Sequence, residues 1–185
     1  MRTSKALILV GATSLCMLLS PPDTRADTEN VSAMMATAVN QHRERHGVPA
    51  LEVSAELAAG AQRWAERGIM ESSPVDGSFG ETLYTYSTRL DPRDAVEKAV
   101  AHWYDQSIAS DGHPAYDYHH ANNRENFLQV LGDHGCFAQL VWKNTTHVGT
   151  GVAWLPDKQI TFVVARFSPP GNFAGEYHRN VFPPR

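Results

Sequence analysis

Residues 135–144 of this 185-residue chain read GCFAQLVWKN and place a glycine and a cysteine before an apolar run that ends at Trp142. The apolar residues Phe137, Leu140 and Val141 recur at three- and four-residue steps, which favours a helix over a strand. We therefore predict a short helix here, with Trp142 buried.

Two apolar segments follow this helix and are joined by a short polar link. Residues 148–154 and 159–167 have strand character, and the link 155–158 contains the turn-forming pair Pro156-Asp157. The second segment is apolar almost throughout, which is typical of a strand covered on both faces. The sequence thus predicts an antiparallel hairpin, with residues 159–167 in the centre of a sheet.

Three helices are predicted upstream of residue 110. The first covers residues 31–46, where apolar residues recur with helical spacing and Gly47 follows. The second begins after the N-cap Ser54 and extends to about Ile69, and the third begins at Asp91 and ends near Ser107. Tryptophans on the apolar faces of the last two, Trp64 and Trp103, are predicted to be buried.

The remaining segments complete an α+β pattern. Residues 81–87 alternate and predict a strand, residues 127–131 predict a short extended run, and residues 110–124 predict a long polar loop. Helices followed by strands with a four-residue link predict an antiparallel sheet covered by helices.

The first 26 residues have the layout of a secretory signal. Arg2 and Lys5 precede the apolar run 6–19, and Pro21-Pro22 follows it. A membrane-spanning helix needs roughly 20 apolar residues, so an anchor is the weaker interpretation. We predict cleavage after Ala26, a single domain over residues 27–185, and an extracellular, secreted protein.

The cysteine content and the net charge of the chain limit the kinds of function that can be expected. Cys16 would leave with the leader, so Cys136 has no partner for an internal disulfide. Two sequons, at Asn30 and Asn144, would accept glycans in a eukaryotic secretory pathway. The net charge is −4 and no run of Lys or Arg interrupts the acidity, which excludes nucleic acid as an expected partner.

Three short segments carry the most specific signal of the chain. They read GETL at residues 80–83, GCFAQLVWKN at 135–144 and FSPPGN at 167–172, with support from NQHRERHGVP at 40–49 and from Trp103-Tyr104. In combination they resemble the CAP superfamily of cysteine-rich secretory, antigen 5 and pathogenesis-related proteins, over about residues 30 to 185. The runs FVVAR (162–166) and NVFPP (180–184) are similar to its Golgi-associated, disulfide-poor branch.

The resemblance implies a three-layer α-β-α sandwich with a central antiparallel sheet. Its cleft is lined by two histidines and two glutamates, which bind a divalent metal, often zinc, in some members. Glu81 matches one glutamate, Gln106 stands where the other is expected, and Cys136 stands where one histidine is expected. The second histidine is expected near Glu71, but the sequence has no histidine there. The resemblance thus implies a degenerate site, in which we expect Glu81 to accept hydrogen bonds from backbone N–H groups or from Gln106.

Other residues offer an alternative metal site. Zinc needs three or four anionic or imidazole ligands, and Glu81, His134 and Cys136 could supply three. Alternatively Cys136 is a small apolar filler and His134 a loop residue. His119 and His120 form a second cluster that is either a solvated loop or a metal site. We expect no cofactor, with zinc as the alternative.

Sterol binding in some relatives depends on an aromatic loop that precedes the segment matching residues 135–144. Tyr116 and Tyr118 supply its aromatic pair, and Asn123 occupies the third aromatic position. The two tyrosines either contact lipid or anchor a long loop.

The resemblance favours a secreted, non-enzymatic domain that interacts with lipid, sterol or a membrane surface, or that acts in signalling or defence. The alternative is a metal- or cysteine-dependent hydrolase with Cys136 as nucleophile and His134 or His147 as base. Covalent catalysis also needs a group that orients the base, and the sequence shows no local signature of one. A third possibility is a protein that acts only through surface recognition.

Overall fold

The computed structural model describes residues 24–74, 77–108, 112, 114–116 and 127–185. Its elements, in chain order, are helix α1 (Thr24–Arg45), strand β1 (Glu52–Val53), helix α2 (Ala55–Arg67), strand β2 (Gly80–Tyr86), helix α3 (Pro92–Asp105), helix α4 (Phe127–Val141), strand β3 (His147–Leu155), strand β4 (Ile160–Ser168) and the single turn α5 (Tyr177–Asn180). The described ranges contain no helix with the length and apolar character needed to cross a membrane. Most of the predicted leader lies outside them, so its boundary at residue 26 stays a prediction.

The sheet has the strand order β1-β3-β4-β2. β3 and β4 form the predicted hairpin, with Val148 opposite Phe167, and β2 pairs antiparallel with the other edge of β4. The prediction that residues 159–167 form an inner strand is confirmed. β1 adds a parallel edge that the sequence did not predict, because a two-residue strand is too short to show any periodicity.

Helices cover both faces of the sheet. On one face Phe162 and Val164 of β4 pack against α2, through Ala61, Trp64 and Ala65. On the other face the alternate β4 residues Val163, Ala165 and Phe167 join the larger core, together with buried residues of α1, α3 and α4. The fold is therefore the predicted α+β three-layer sandwich, and its sheet is antiparallel except at the β1 edge.

Local signals set the ends of the helices. Ser54 caps α2 by accepting a hydrogen bond from the Leu57 N–H at 3.3 Å, and Gly68 ends it in the left-handed region at φ 59°. Asp91 caps α3 in the same way through two backbone N–H groups, and Gln106 is the C-cap of that helix. These caps place Gln106 at the end of α3 that faces α4.

The prediction of an extended run at residues 127–131 is wrong, because these residues form the first part of α4. Gly132 and Gly135 lower the helix propensity of this segment. The apolar spacing from residue 127 to residue 141 is nevertheless helical, and packing of α4 against α1 and α3 outweighs the cost of the glycines.

The three tryptophans predicted to be buried are buried. Trp64, Trp103 and Trp142 are 8%, 0% and 1% exposed. Trp64 Nε1 donates to the Glu71 carbonyl at 3.0 Å, and Trp103 Nε1 donates to the Leu83 carbonyl at 3.2 Å. These two indoles therefore bury their apolar area while each N–H keeps a partner.

Candidate functional site

Gln106, His134 and Cys136 lie together where the end of α3 meets α4. The Gln106 backbone carbonyl accepts a hydrogen bond from His134 Nδ1 at 2.6 Å. The Gln106 side chain hydrogen-bonds the Cys136 thiol. His134 is 2% exposed and Cys136 is half-buried. The structure thus assembles three of the predicted cleft residues, which we call the thiol pocket.

The thiol pocket is electrically neutral at Cys136 and Gln106. Burial raises the pKa of the Cys136 thiol to about 11, and the hydrogen bond with Gln106 opposes this shift only in part. The thiol is therefore protonated at neutral pH, whereas nucleophilic attack and metal binding both need the thiolate. Gln106 Oε1 is buried and has no hydrogen-bond partner among the described residues. The pocket consequently has one unused acceptor.

Glu81 lies on the opposite face of the sheet from the thiol pocket. It pairs in register with Arg166, and both side chains point to the α2 face, where the Arg166 guanidinium contacts Gly60. Arg166 Nε donates to Glu81 Oε2 at 2.8 Å, and the Ser73 N–H and hydroxyl donate to the two carboxylate oxygens at 2.7 and 2.8 Å. The Glu81 side chain is only 2% exposed.

The network around Glu81 is closed. Arg166 Nη2 also donates to Ser73 Oγ at 2.9 Å, and the Arg166 guanidinium lies 4.3 Å from the ring centre of Phe79. A buried ion pair with its remaining hydrogen bonds satisfied is a structural arrangement. The expectation that Glu81 accepts from a backbone N–H is confirmed at Ser73, and Gln106 is not its partner.

Ser73 and Arg166 were missed as partners of Glu81 by the sequence analysis. Arg166 had a usable signal, because a lone arginine in an otherwise apolar inner strand needs a carboxylate. Ser73 had none. Glu71, the residue nearest the expected histidine, has an exposed side chain. Its backbone carbonyl accepts the hydrogen bond from Trp64 Nε1.

The segment 135–144 also has a structural role, through Gln139 and Thr145. Gln139 Oε1 accepts from the Gly171 N–H at 2.9 Å, and Gln139 Nε2 donates to Thr145 Oγ1 at 3.2 Å. Thr145 Oγ1 donates in turn to the Pro169 carbonyl at 2.9 Å. These bonds fasten α4 to the residues that follow β4, which ties two of the recognised segments to each other.

Arg43 completes this support from α1. It is fully buried and donates to four backbone carbonyls, those of Pro49, Leu140, Trp142 and Thr145. Burial lowers its pKa to about 10, so the guanidinium remains charged at neutral pH. A cation at the carboxyl end of α4 also complements the helix dipole.

A match to a protein-family model identifies the family to which the segments at residues 80–83, 135–144 and 167–172 belong. The model of the cysteine-rich secretory protein family, CAP, matches residues 36–167, which is more than half of the chain. The chain belongs to the CAP family.

Curated relatives agree with this CAP assignment. Human Golgi-associated plant pathogenesis-related protein 1 is 33% identical over 159 residues, which cover 80% of this chain and 90% of that protein. Human cysteine-rich secretory protein 2 is 32% identical, over 72% of this chain and 55% of that protein. A probable pathogenesis-related protein of Arthroderma benhamiae is 29% identical, over 79% of this chain and 47% of its own length. The chain thus spans most of the first relative and about half of the other two, and the resemblance to the Golgi-associated branch is confirmed.

Solved structures show the same CAP fold. The structure of NaASP2 with Zn²⁺ matches with a TM-score of 0.66 at 17% identity, over 90% of this chain and 91% of that one. Na-ASP-1 matches with a TM-score of 0.65 at 19% identity, over 78% of this chain and 40% of that one.

The described residues of this CAP chain do not form a site for a zinc ion such as the one in the NaASP2 structure. Within the described residues, no three His, Cys, Asp or Glu side chains lie close enough to hold a metal. Glu81 faces α2 and is engaged by Arg166, while Cys136 is a protonated thiol beside an amide. The three-ligand site of Glu81, His134 and Cys136 considered from the sequence is therefore not assembled.

The other predicted residues of the CAP domain are only partly described. Tyr116 is half-buried and packs against the larger core, which agrees with an anchoring role, whereas Tyr118, Asn123 and the His119–His120 pair lie outside the described residues. His147 begins β3, where Nδ1 lies 2.8 Å from Thr146 Oγ1 and Nε2 lies 3.9 Å from Glu52 Oε2. None of its described contacts is with Cys136.

Proposed function

We propose that this chain is a secreted, non-enzymatic CAP domain that binds an uncharged lipid at the surface around the thiol pocket. The observation that carries the proposal is the neutral pair of Cys136 and Gln106, with a buried acceptor that has no partner among the described residues, beside exposed apolar side chains. The lipid would contact the apolar side chains with its body and the acceptor with its polar group.

Exposed apolar residues flank the thiol pocket. We call them the apolar rim: Ile108, Leu131 and Phe173, which are 50%, 37% and 53% exposed. Ile108 follows Gln106 by two residues, and the Leu131 side chain approaches Gly135 on the next turn of α4. Asn172, which precedes Phe173, donates to the Gly135 carbonyl at 2.9 Å. Single exposed apolar residues are ordinary, but several of them next to the same buried polar cluster favour a binding surface.

The chemistry of the thiol pocket selects an uncharged ligand. A protonated thiol and an amide offer no charge to pair with a carboxylate, phosphate or metal ion. Gln106 Oε1 can accept one hydrogen bond, so a ligand hydroxyl would satisfy it. Apolar bulk with a single hydroxyl describes a sterol-like lipid, which the apolar rim would contact along its body.

The same observations argue against the hydrolase alternative. A cysteine nucleophile needs a lowered pKa and a base within hydrogen-bond reach, whereas burial raises the pKa of Cys136 to about 11. Nδ1 of His134 is occupied by the Gln106 carbonyl. We therefore assign Cys136 no catalytic role.

Secretion is the remaining part of the proposal, and it rests on the predicted leader of residues 1–26. Expression of the full chain in a eukaryotic host tests it directly. We expect the protein in the medium with Asp27 as its first residue, and we expect retention when Leu9 and Leu15 are both replaced by Arg. Full retention of the unaltered chain inside the cell, as the name of the human Golgi-associated relative would suggest for that protein, contradicts secretion.

Lipid binding is tested with a fluorescent sterol and with neutral phosphatidylcholine vesicles that contain or lack sterol. We expect Leu131→Asp and Phe173→Asp to weaken sterol binding about tenfold or more, because each loses the burial of a large apolar side chain. The matched control is Met70→Asp, which places the same charge on an apolar residue that is 58% exposed elsewhere on the surface. Sterol binding that is absent in the parent, or equal in all four proteins, contradicts the proposal.

A further inference from the structure

The two N-glycosylation sequons of the chain differ in how the fold presents them. One is Asn30-Val31-Ser32 and the other is Asn144-Thr145-Thr146. Glycan transfer requires the amide of the asparagine and the hydroxyl two residues later to be reached together, and the attached sugar must then point into solvent. The structure can therefore separate the two sequons, although the sequence cannot.

In the second sequon both Asn144 and Thr146 are exposed residues, and the Thr146 hydroxyl has bonds only to the carbonyl of Ser168 at 3.3 Å and to Nδ1 of the neighbouring His147 at 2.8 Å among the described residues. Asn144 lies in an exposed turn between α4 and β3, closed by a hydrogen bond from the Thr145 N–H to the Trp142 carbonyl at 3.1 Å. Thr145 is fully buried, while Asn144 and Thr146 on either side of it are exposed. Asn144 and Thr146 therefore share the outer side of this segment, with Thr145 pointing inward between them.

The first sequon lies within α1, where residues two apart are about 200° apart around the helix axis. Asn30 is exposed, but Ser32 is fully buried. Its hydroxyl donates to the Thr150 carbonyl at 3.3 Å and accepts from the Thr150 N–H at 2.9 Å. The folded domain therefore hides the hydroxyl that the reaction needs.

We propose that Asn144 is an N-glycosylation site and that Asn30 is not. The proposal rests on the secretion part of the proposed function, because the reaction needs a secretory compartment and a lipid-linked oligosaccharide diphosphate as donor. In the transfer, the Asn144 amide nitrogen forms a bond to C1 of the first sugar as the bond from C1 to the diphosphate oxygen breaks. The lipid diphosphate leaves with the electron pair, and the amide nitrogen loses one proton to an enzyme base.

The position of Asn144 leaves the proposed lipid surface uncovered. The helix α4 extends from the apolar rim residue Leu131 to Val141 over about 15 Å, and Asn144 lies beyond its far end. The sugar would project beside the turn that α5 supports through the hydrogen bond from the Asn144 N–H to Asn180 Oδ1.

The experiment is expression of the full chain in a eukaryotic secretory host, followed by treatment with a peptide-N-glycosidase. We expect one discrete upward shift in mass, removal of that shift by the enzyme, and an aspartate at position 144 afterwards. Asn144→Gln and Thr146→Ala should each abolish the shift, and Asn30→Gln is the matched control that should keep it.

A second expression, with a leader of the host ahead of the full chain, presents the domain to the transferase whatever its own first residues do. A chain that enters the medium without a glycan, or with one that survives Asn144→Gln, overturns the assignment of Asn144. A chain that is secreted and glycosylated only with the host leader supports Asn144 and contradicts the predicted leader instead.

Discussion

The two faces of the sheet differ in how their buried polar residues are charged and hydrogen-bonded. On the α2 face, Glu81 and Arg166 form a buried ion pair in which Ser73 satisfies both partners. At the thiol pocket, Gln106 and Cys136 carry no charge, and Gln106 Oε1 has no partner within the described residues. The charged cluster therefore has its hydrogen bonds satisfied, whereas the neutral one keeps an unpaired acceptor.

The two clusters differ in how much free energy a bound ligand could gain from them. A ligand that bound Glu81 would have to displace Arg166 and Ser73. The hydrogen bonds lost would offset the new ones, because the buried carboxylate already has well-placed partners. A ligand hydroxyl at Gln106 Oε1 would instead satisfy an acceptor that costs about 1–3 kcal/mol to leave unpaired. Retention of a family motif residue such as Glu81 is thus no proof of a retained site.

The largest expected effect is on the closed cluster. Arg166→Met should lower the free energy of unfolding by about 3–5 kcal/mol, because it leaves the buried Glu81 carboxylate without its cation. Chemical denaturation measures the loss, and adding Glu81→Gln to Arg166→Met should recover part of it.

A surface ion pair supplies the control for this prediction. Arg179 lies 3.7 Å from Glu176, and both side chains are well exposed. Arg179→Met should therefore change stability by less than about 1 kcal/mol. Similar losses for Arg166→Met and Arg179→Met would show that the Glu81 cluster is not closed as described.

The second prediction concerns the reactivity of the Cys136 thiol. A thiol with a pKa of about 11 instead of 9.0 has about a hundredfold less thiolate at neutral pH, so iodoacetamide should alkylate Cys136 about a hundred times more slowly than an unperturbed cysteine. The rate should rise steadily with pH up to the pKa. Fast alkylation at pH 7 would reopen the hydrolase alternative.

The third prediction restores the residues that the CAP resemblance leads one to expect. Gln106→Glu alone should cost about 1–3 kcal/mol, because it places a carboxylate beside a buried thiol with no cation in contact. Adding Cys136→His should recover part of this loss through a carboxylate–imidazolium pair. Zinc titration calorimetry should detect no tight binding in the parent or in the double variant, since Glu81 faces the other side of the sheet. One-to-one micromolar binding by the parent, lost in Cys136→Ser, would contradict the separation of the two faces.

The smallest expected effect is a pH dependence centred on α1. Burial lowers the pKa of His42 and of His46, and the nearby cation Arg45 lowers both further. His46 hydrogen-bonds the Phe182 carbonyl and the Tyr104 hydroxyl, and the Tyr104 ring stacks on His42. The unfolded chain therefore binds protons at a higher pH than the folded chain does.

The sign of this pH dependence follows from linkage. Stability is fully present above the unfolded histidine pKa of about 6.5, and it falls as the pH drops below that value. Denaturation curves between pH 7.5 and 5 should show the loss, and His42→Gln should reduce its slope.

Much of the fold could be predicted from local patterns. The hairpin, the two helix caps at Ser54 and Asp91, and the inner position of residues 159–167 depend on neighbouring residues, and the structure has all of them. α4 was predicted too short because its first part depends on packing against α1 and α3, which the local pattern of residues 127–131 does not show. β1 was missed because its pairing with β3 is between residues far apart in sequence.

The family, the α+β class and the residues at the expected metal-site positions could be predicted from the sequence, because motifs and periodicity are local properties, and the three layers were implied by the family resemblance. Only the tertiary structure decided that Glu81 faces α2 with Arg166 while Gln106 and Cys136 meet between α3 and α4. The alternation along β2 predicts that neighbouring residues point to opposite faces of the sheet. It does not predict which helix covers each face or which residues pair with Glu81 there. The raised pKa of Cys136 is likewise a property of its burial, which contacts between distant segments create.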